Sequence, residues 1–192
     1  MTPFHRARHA ALELRRQLFG ADAEAGLRST TLIAKAAGED GEDFDIAPVR
    51  PNDAALGEAD AVLLRDHRQI VVRDDVPLAV RAFLVAHEFG HWKLHPADHD
   101  SCHKVVEGAL KPEDAETFGA QKVEAYGARE RAELQANIFA REFLLPRETA
   151  KAMFLAGKTA SNIQEELDLP PELVRQQLLD GLLLPAAGVV ED

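Results

Sequence analysis

Apolar residues recur along the chain with two different periods, and the places where the period changes divide it into elements. After Pro3, the run FHRARHAALELRRQLF sets Phe4, Ala11, Leu14 and Leu18 on one face of a helix. TTLIAKA fits either a strand or the end of a helix, and GEDGEDFD (38–45) is acidic, glycine-containing and loop-like. Two short β-rich runs follow, AVLLR (61–65) and QIVVR (69–73), separated by Asp66, His67 and Arg68, a spacing that predicts a hairpin. DDVP (74–77) has the form of a helix start, an aspartate cap followed by proline. That helix is predicted to run to about His95, where Pro96 stops it.

Residues 96–128 lack a clear period and contain Gly108, Pro112, Gly119 and Gly127, so they form a long insertion. A second long helix is predicted over about 129–145, ending at Pro146, with Ala132, Ala136, Phe139, Ala140 and Phe143 as its buried stripe. Residues 159–185 then form two short helices joined at Asp168–Pro171, and 186–192 has the character of a linker. The expected organisation is a main domain over 1–158, a helical pair over 159–185 packing on it, and a tail that leads toward a further domain beyond Asp192.

Composition narrows the picture. With 192 residues, 46% of them hydrophobic, the chain can build one domain with a proper core. Its net charge of −11 disfavours direct binding to nucleic-acid phosphates. Arg6, Arg8, Arg15 and Arg16 near the N-terminus are the local exception, and they are expected to line a solvated helix face. The C-terminal pair resembles half a helix-turn-helix. It carries five acids against Arg175, however, which favours packing over DNA reading. Cys102 is the only cysteine, so no internal disulfide can form. Neither a signal-peptide h-region nor a membrane-length apolar run is visible, and the expectation is a soluble, cytoplasmic protein without a membrane partner.

The chemistry concentrates in LVAHEFGHWKLHP (84–96). His87 and His91 are four apart on the first long helix, so their rings project from one face, one turn apart. Two imidazoles so placed can hold a zinc ion, and the neighbouring Glu88 can act as general base on a water at the metal: the HExxH arrangement. Gly90 inside the motif lets another element come close.

A catalytic zinc needs a third protein ligand and an open position. A metzincin third histidine would fall at position 97 and its glycine at 94, which are Ala97 and Leu94, so that class is excluded. The alternative is a carboxylate from the second long helix. In ERAELQANIFAREFLLP, Glu133 and Asn137 are i, i+4, so one can ligate while the other orients a histidine ring. Glu133 is the leading candidate and Glu130 its rival, with Glu142 about two turns further on. His95, one more turn along the first helix, is expected beside the ligands rather than on the metal, and Trp92 in the core.

Taken together, RAFLVAHEFGHWKLH and, some 40 residues later, ERAELQANIFAREFLLP resemble the ImmA/IrrE family of zinc metallopeptidases, densely over about 81–146. The resemblance implies an α+β zincin-like domain, with a small, mostly antiparallel sheet and the HExxH helix. It implies Zn2+ held by His87, His91 and Glu133, with Glu88 as base. The family's activity is intracellular peptide-bond hydrolysis, typically of a transcriptional repressor, in a stress, mobile-element or defence response. ELQANIFAREFLLPRE is also similar to members fused ahead of a DNA helicase, which implies an associated DNA-repair domain. Candidate oxyanion donors are Tyr126, the only tyrosine, together with His95, His103 and Arg129. A substrate peptide would lie extended beside a sheet edge, for which 69–73 is the candidate. The competing reading is a non-catalytic zinc module whose fourth position is closed by Cys102 or His103; the presence of Glu88 speaks against it, since a structural site needs no base.

Overall fold

The computed structural model describes residues 2–38, 41–95, 102–103 and 128–184, with backbone alone at 102–103, 128 and 129. Among them the chain forms seven α-helices and a small mixed sheet, an α+β fold. In chain order these are α1 (Pro3–Phe19), α2 (Ser29–Ala37), β1 (Asp45–Val49), β2 (Ala61–Leu64), β3 (Gln69–Arg73), α3 (Leu78–Leu94), β4 (Cys102–His103), α4 (Ala128–Leu144), α5 (Arg147–Leu155), α6 (Ala160–Leu167) and α7 (Pro171–Leu183).

TTLIAKA resolves as helix α2, because Leu32, Ile33 and Ala36 bury at helical spacing. β2 and β3 form the expected hairpin through a short 3-10 turn at Arg65–His67. The sheet order is β1-β3-β2-β4, with β1 parallel to β3 and the other pairings antiparallel. β3 is therefore central, not the edge expected from sequence. β1 takes its outer side, pairing Asp45 with Gln69 through Val49 with Arg73. The sequence hides β1 because it follows the acidic run directly and contains Pro48, a residue tolerated in a strand that pairs on one side only.

The aspartates before α3 do not cap it. Pro77 occupies the cap position without a side-chain bond, and Asp75 is drawn off by Arg73, whose Nε and Nη2 donate to it at 2.6 and 2.8 Å. α3 lies between the sheet and α4, and every residue from Ala82 to His91 is buried. α4 carries the expected stripe inward: Ala136, Phe139, Ala140 and Phe143 are fully buried. Each such phenylalanine contributes roughly 1.5–3 kcal/mol by leaving water.

Of the N-terminal arginines, Arg6 and Arg16 are exposed as expected, whereas Arg8 and Arg15 depart from the solvated face. Arg15 is fully buried and donates to Ala23 O at 2.5 Å, Phe143 O at 2.6 Å and Ala25 O at 2.7 Å. It thereby satisfies a last-turn carbonyl of α4 that has no partner within its own helix. Arg8 pairs with Asp180 at 2.7 Å and lies 3.8 Å from Glu142. From α7, Gln177 donates to Leu145 O at 2.6 Å and to Glu142 at 3.2 Å, so α1, α4 and α7 meet around one buried carboxylate.

α3 and α4 approach each other closely at Gly90. A Cβ there would stand 2.9 Å from Ala136 Cα and 3.1 Å from Ala136 O. Gly90→Ala is thus expected to force the helices apart and cost about 1–3 kcal/mol. The loss should be visible as a lower denaturation midpoint at unchanged slope; an unaltered midpoint would show that the crossing is loose.

Candidate metal centre

The Gly90–Ala136 crossing determines what stands on either side of it. On α3, His87 and His91 project one turn apart toward α4, and their Nε2 atoms are 2.9 Å from each other. On α4, Glu133 is one turn N-terminal to Asn137 and reaches the same point. Its Oε2 is 3.3 Å from His87 Nε2, and its Oε1 is 3.5 Å from His91 Nε2. One ligand atom from each of the three residues falls within 4.8 Å of the others, and this is the trio among the described residues suited to a metal. Both histidines are buried, while Glu133 is a quarter exposed.

The rings are oriented from behind. His87 Nδ1 donates to Asn137 Oδ1 at 2.9 Å, which leaves the Nε2 lone pair directed at the centre. His91 Nδ1 lies 3.0 Å from His95 Nδ1, and His95 Nε2 is 3.0 Å from Gln135 Oε1. Asn137 and His95 thus sit directly behind the two rings, on the side away from the centre. Glu130 is exposed on the first turn of α4, and Glu142 belongs to the buried ionic cluster at the helix's other end. Tyr126, Arg129 and the side chains of Cys102 and His103 lie outside what is described; the backbone of Cys102–His103 pairs with β2.

Glu88 is fully buried, and neither of its carboxylate oxygens has a hydrogen-bond partner among the described residues. Burial first, and then the neighbouring charge of Glu133, push its carboxyl well above the usual carboxylate range; Arg65 works weakly in the opposite direction. A buried carboxylate without donors is costly unless a positive charge or a reacting proton is brought to it. The donor set of two imidazoles and a carboxylate fits a divalent metal ion such as zinc.

Two residues escaped the sequence reading. Arg65, in the hairpin turn, donates through Nη2 to His91 O at 2.8 Å and His95 O at 3.2 Å, closing the C-terminal carbonyls of α3. Its guanidinium also lies over the Trp92 ring, 5.4 Å from the centroid. Nothing in the hairpin sequence separates it from Arg68. Gln135 lies off the i, i+4 line of Glu133 and Asn137, so helical spacing did not single it out. Trp92 packs edge-on against Phe44 and donates to Glu42 Oε2 at 2.9 Å, a structural role.

A family model described as Peptidase_M78, IrrE N-terminal-like domain, matches residues 39–179, a span that includes every residue of the centre. No curated protein matches the chain.

Because the folded-state pKa of Glu88 is raised, the metal-free native state holds a proton that the unfolded chain releases from about 4.5 upward. Metal-free wild type should therefore lose stability as pH rises through that window. Metal-free Glu88→Gln should not, and its melting temperature should exceed the wild type's at pH 8 and converge with it near pH 4. Parallel melting curves at both pH values would remove the buried-charge interpretation.

Proposed function

The chain belongs to the Peptidase_M78 family of IrrE N-terminal-like domains, and on that premise we propose that it is a zinc-dependent endopeptidase. The observation that carries this reading is the buried, donor-free carboxylate of Glu88 beside the His87–His91–Glu133 trio. A metal held only for structure has no use for such a group.

His87, His91 and Glu133 would hold the ion, which when bound supplies Lewis acidity toward a peptide carbonyl and toward water. The chain's own residues do the rest. Asn137 fixes the His87 ring, and Arg65 ties the end of α3 to the hairpin. Glu88 takes the proton from the attacking water and hands it to the departing amine. Its raised pKa suits both transfers, because the group binds a proton readily yet is deprotonated by a neighbouring cation. Tyr126 is the proposed oxyanion donor.

The proposed substrate is an intracellular regulatory protein, a transcriptional repressor whose cleavage releases a stress, mobile-element or defence response. The proposed compartment is the cytoplasm, and no helix among the described residues is long and apolar enough to cross a membrane. An associated DNA-repair or helicase domain is a further proposed partner. Direct DNA recognition is disfavoured by the net charge of −11 and by the internal engagement of Arg8 and Arg15.

Metal analysis of the purified protein is expected to give one zinc per chain, lost in His87→Ala. Glu88→Gln should keep its zinc and slow cleavage of a co-expressed helix-turn-helix repressor by about 10²–10⁴-fold, the usual contribution of a general base. If Glu88→Gln cleaves normally, or wild type holds no zinc, the hydrolase reading fails.

A further inference from the structure

The His91 ring can present either nitrogen-bound proton or lone pair to the centre, and the side chains behind it decide which. Gln135 Oε1 is a carbonyl oxygen and can only accept, so His95 must direct Nε2–H toward it across 3.0 Å. A neutral His95 then has only a lone pair on Nδ1. His91 Nδ1 faces that lone pair at 3.0 Å and must supply the proton. The consequence appears at the far side of the ring: His91 Nε2 carries a lone pair, aimed at the same point as that of His87, 2.9 Å away. From this geometry we infer that Gln135 is a positioning residue for the metal centre, acting through His95 to hold His91 in its metal-binding tautomer.

The inference rests on the zinc reading above but names a residue that touches neither metal nor substrate. Gln135 and Glu133 are two apart on α4, so one helix supplies both a ligand and, through His95 at the C-cap of the facing helix, the orientation of another ligand. The crossing at Gly90 keeps both reaches short. The two histidines are thereby oriented by unlike partners, His87 directly by an amide and His91 through a second imidazole ending on an amide.

Two measurements on the full chain test this. Long-range 15N–1H spectra of the metal-free protein at pH 8 should show His91 as the Nδ1–H tautomer in wild type and as a mixture in Gln135→Leu. Competition for zinc against a chromophoric chelator should show affinity reduced about 10–100-fold in Gln135→Leu. Gln135→Glu, which preserves an acceptor, should restore both. Nε2–H on His91 in the wild type would overturn the inference without any variant being needed. So would Gln135→Leu binding zinc as tightly as wild type, or Gln135→Glu binding as weakly as Gln135→Leu. Wild type that binds no zinc would instead overturn the functional reading itself.

Discussion

Two imidazole nitrogens and a carboxylate converge on one point in the interior, and such a convergence needs a shared proton or a metal ion between them. The His87 and His91 Nε2 atoms are 2.9 Å apart, with Glu133 oxygens 3.3 and 3.5 Å away. Their partners behind the rings hold them in this orientation. The fold invests in this arrangement. α3 is buried on all sides over the motif, α4 approaches it to within the width of a missing methyl at Gly90, and Arg65 secures the helix end to the hairpin. The packing around the centre holds these three groups in register.

The same logic explains Glu88. A carboxylate with no donors inside a protein is a source of strain, and its affinity for a proton is raised accordingly. Next to a cation that strain becomes useful, because the group can alternate between its two protonation states at modest cost. The buried cluster of Arg8, Glu142, Gln177 and Asp180 presents the opposite case. Its groups pair with one another and join α1, α4 and α7: Arg8 with Asp180, and Gln177 with Glu142.

The candidate site is largely legible in the sequence because its code is local. His87 and His91 are i, i+4 with Glu88 beside them, and Glu133 with Asn137 are i, i+4, so spacing places each of these pairs on a common face. The long helices were legible for the same reason. What escaped depends on contacts remote in sequence. β3 reads as an edge in the sequence because its partner β1 follows an acidic run directly and contains Pro48. Arg15 was assigned to solvent because nothing local reveals that Phe143 O, 128 residues away, needs a donor. The aspartate cap is absent because Pro77 takes the cap position, while Asp75 pairs with Arg73. Gln135 became visible only when the end of α3 was seen facing it.

The most direct test of the central claim is the zinc-edge X-ray absorption spectrum of the chain loaded with one equivalent of zinc. Two imidazole nitrogens at about 2.0–2.1 Å, carboxylate oxygen at about 2.0–2.2 Å and one further light scatterer from solvent are expected. A sulfur at about 2.3 Å, or a third imidazole completing a closed sphere, would contradict the account.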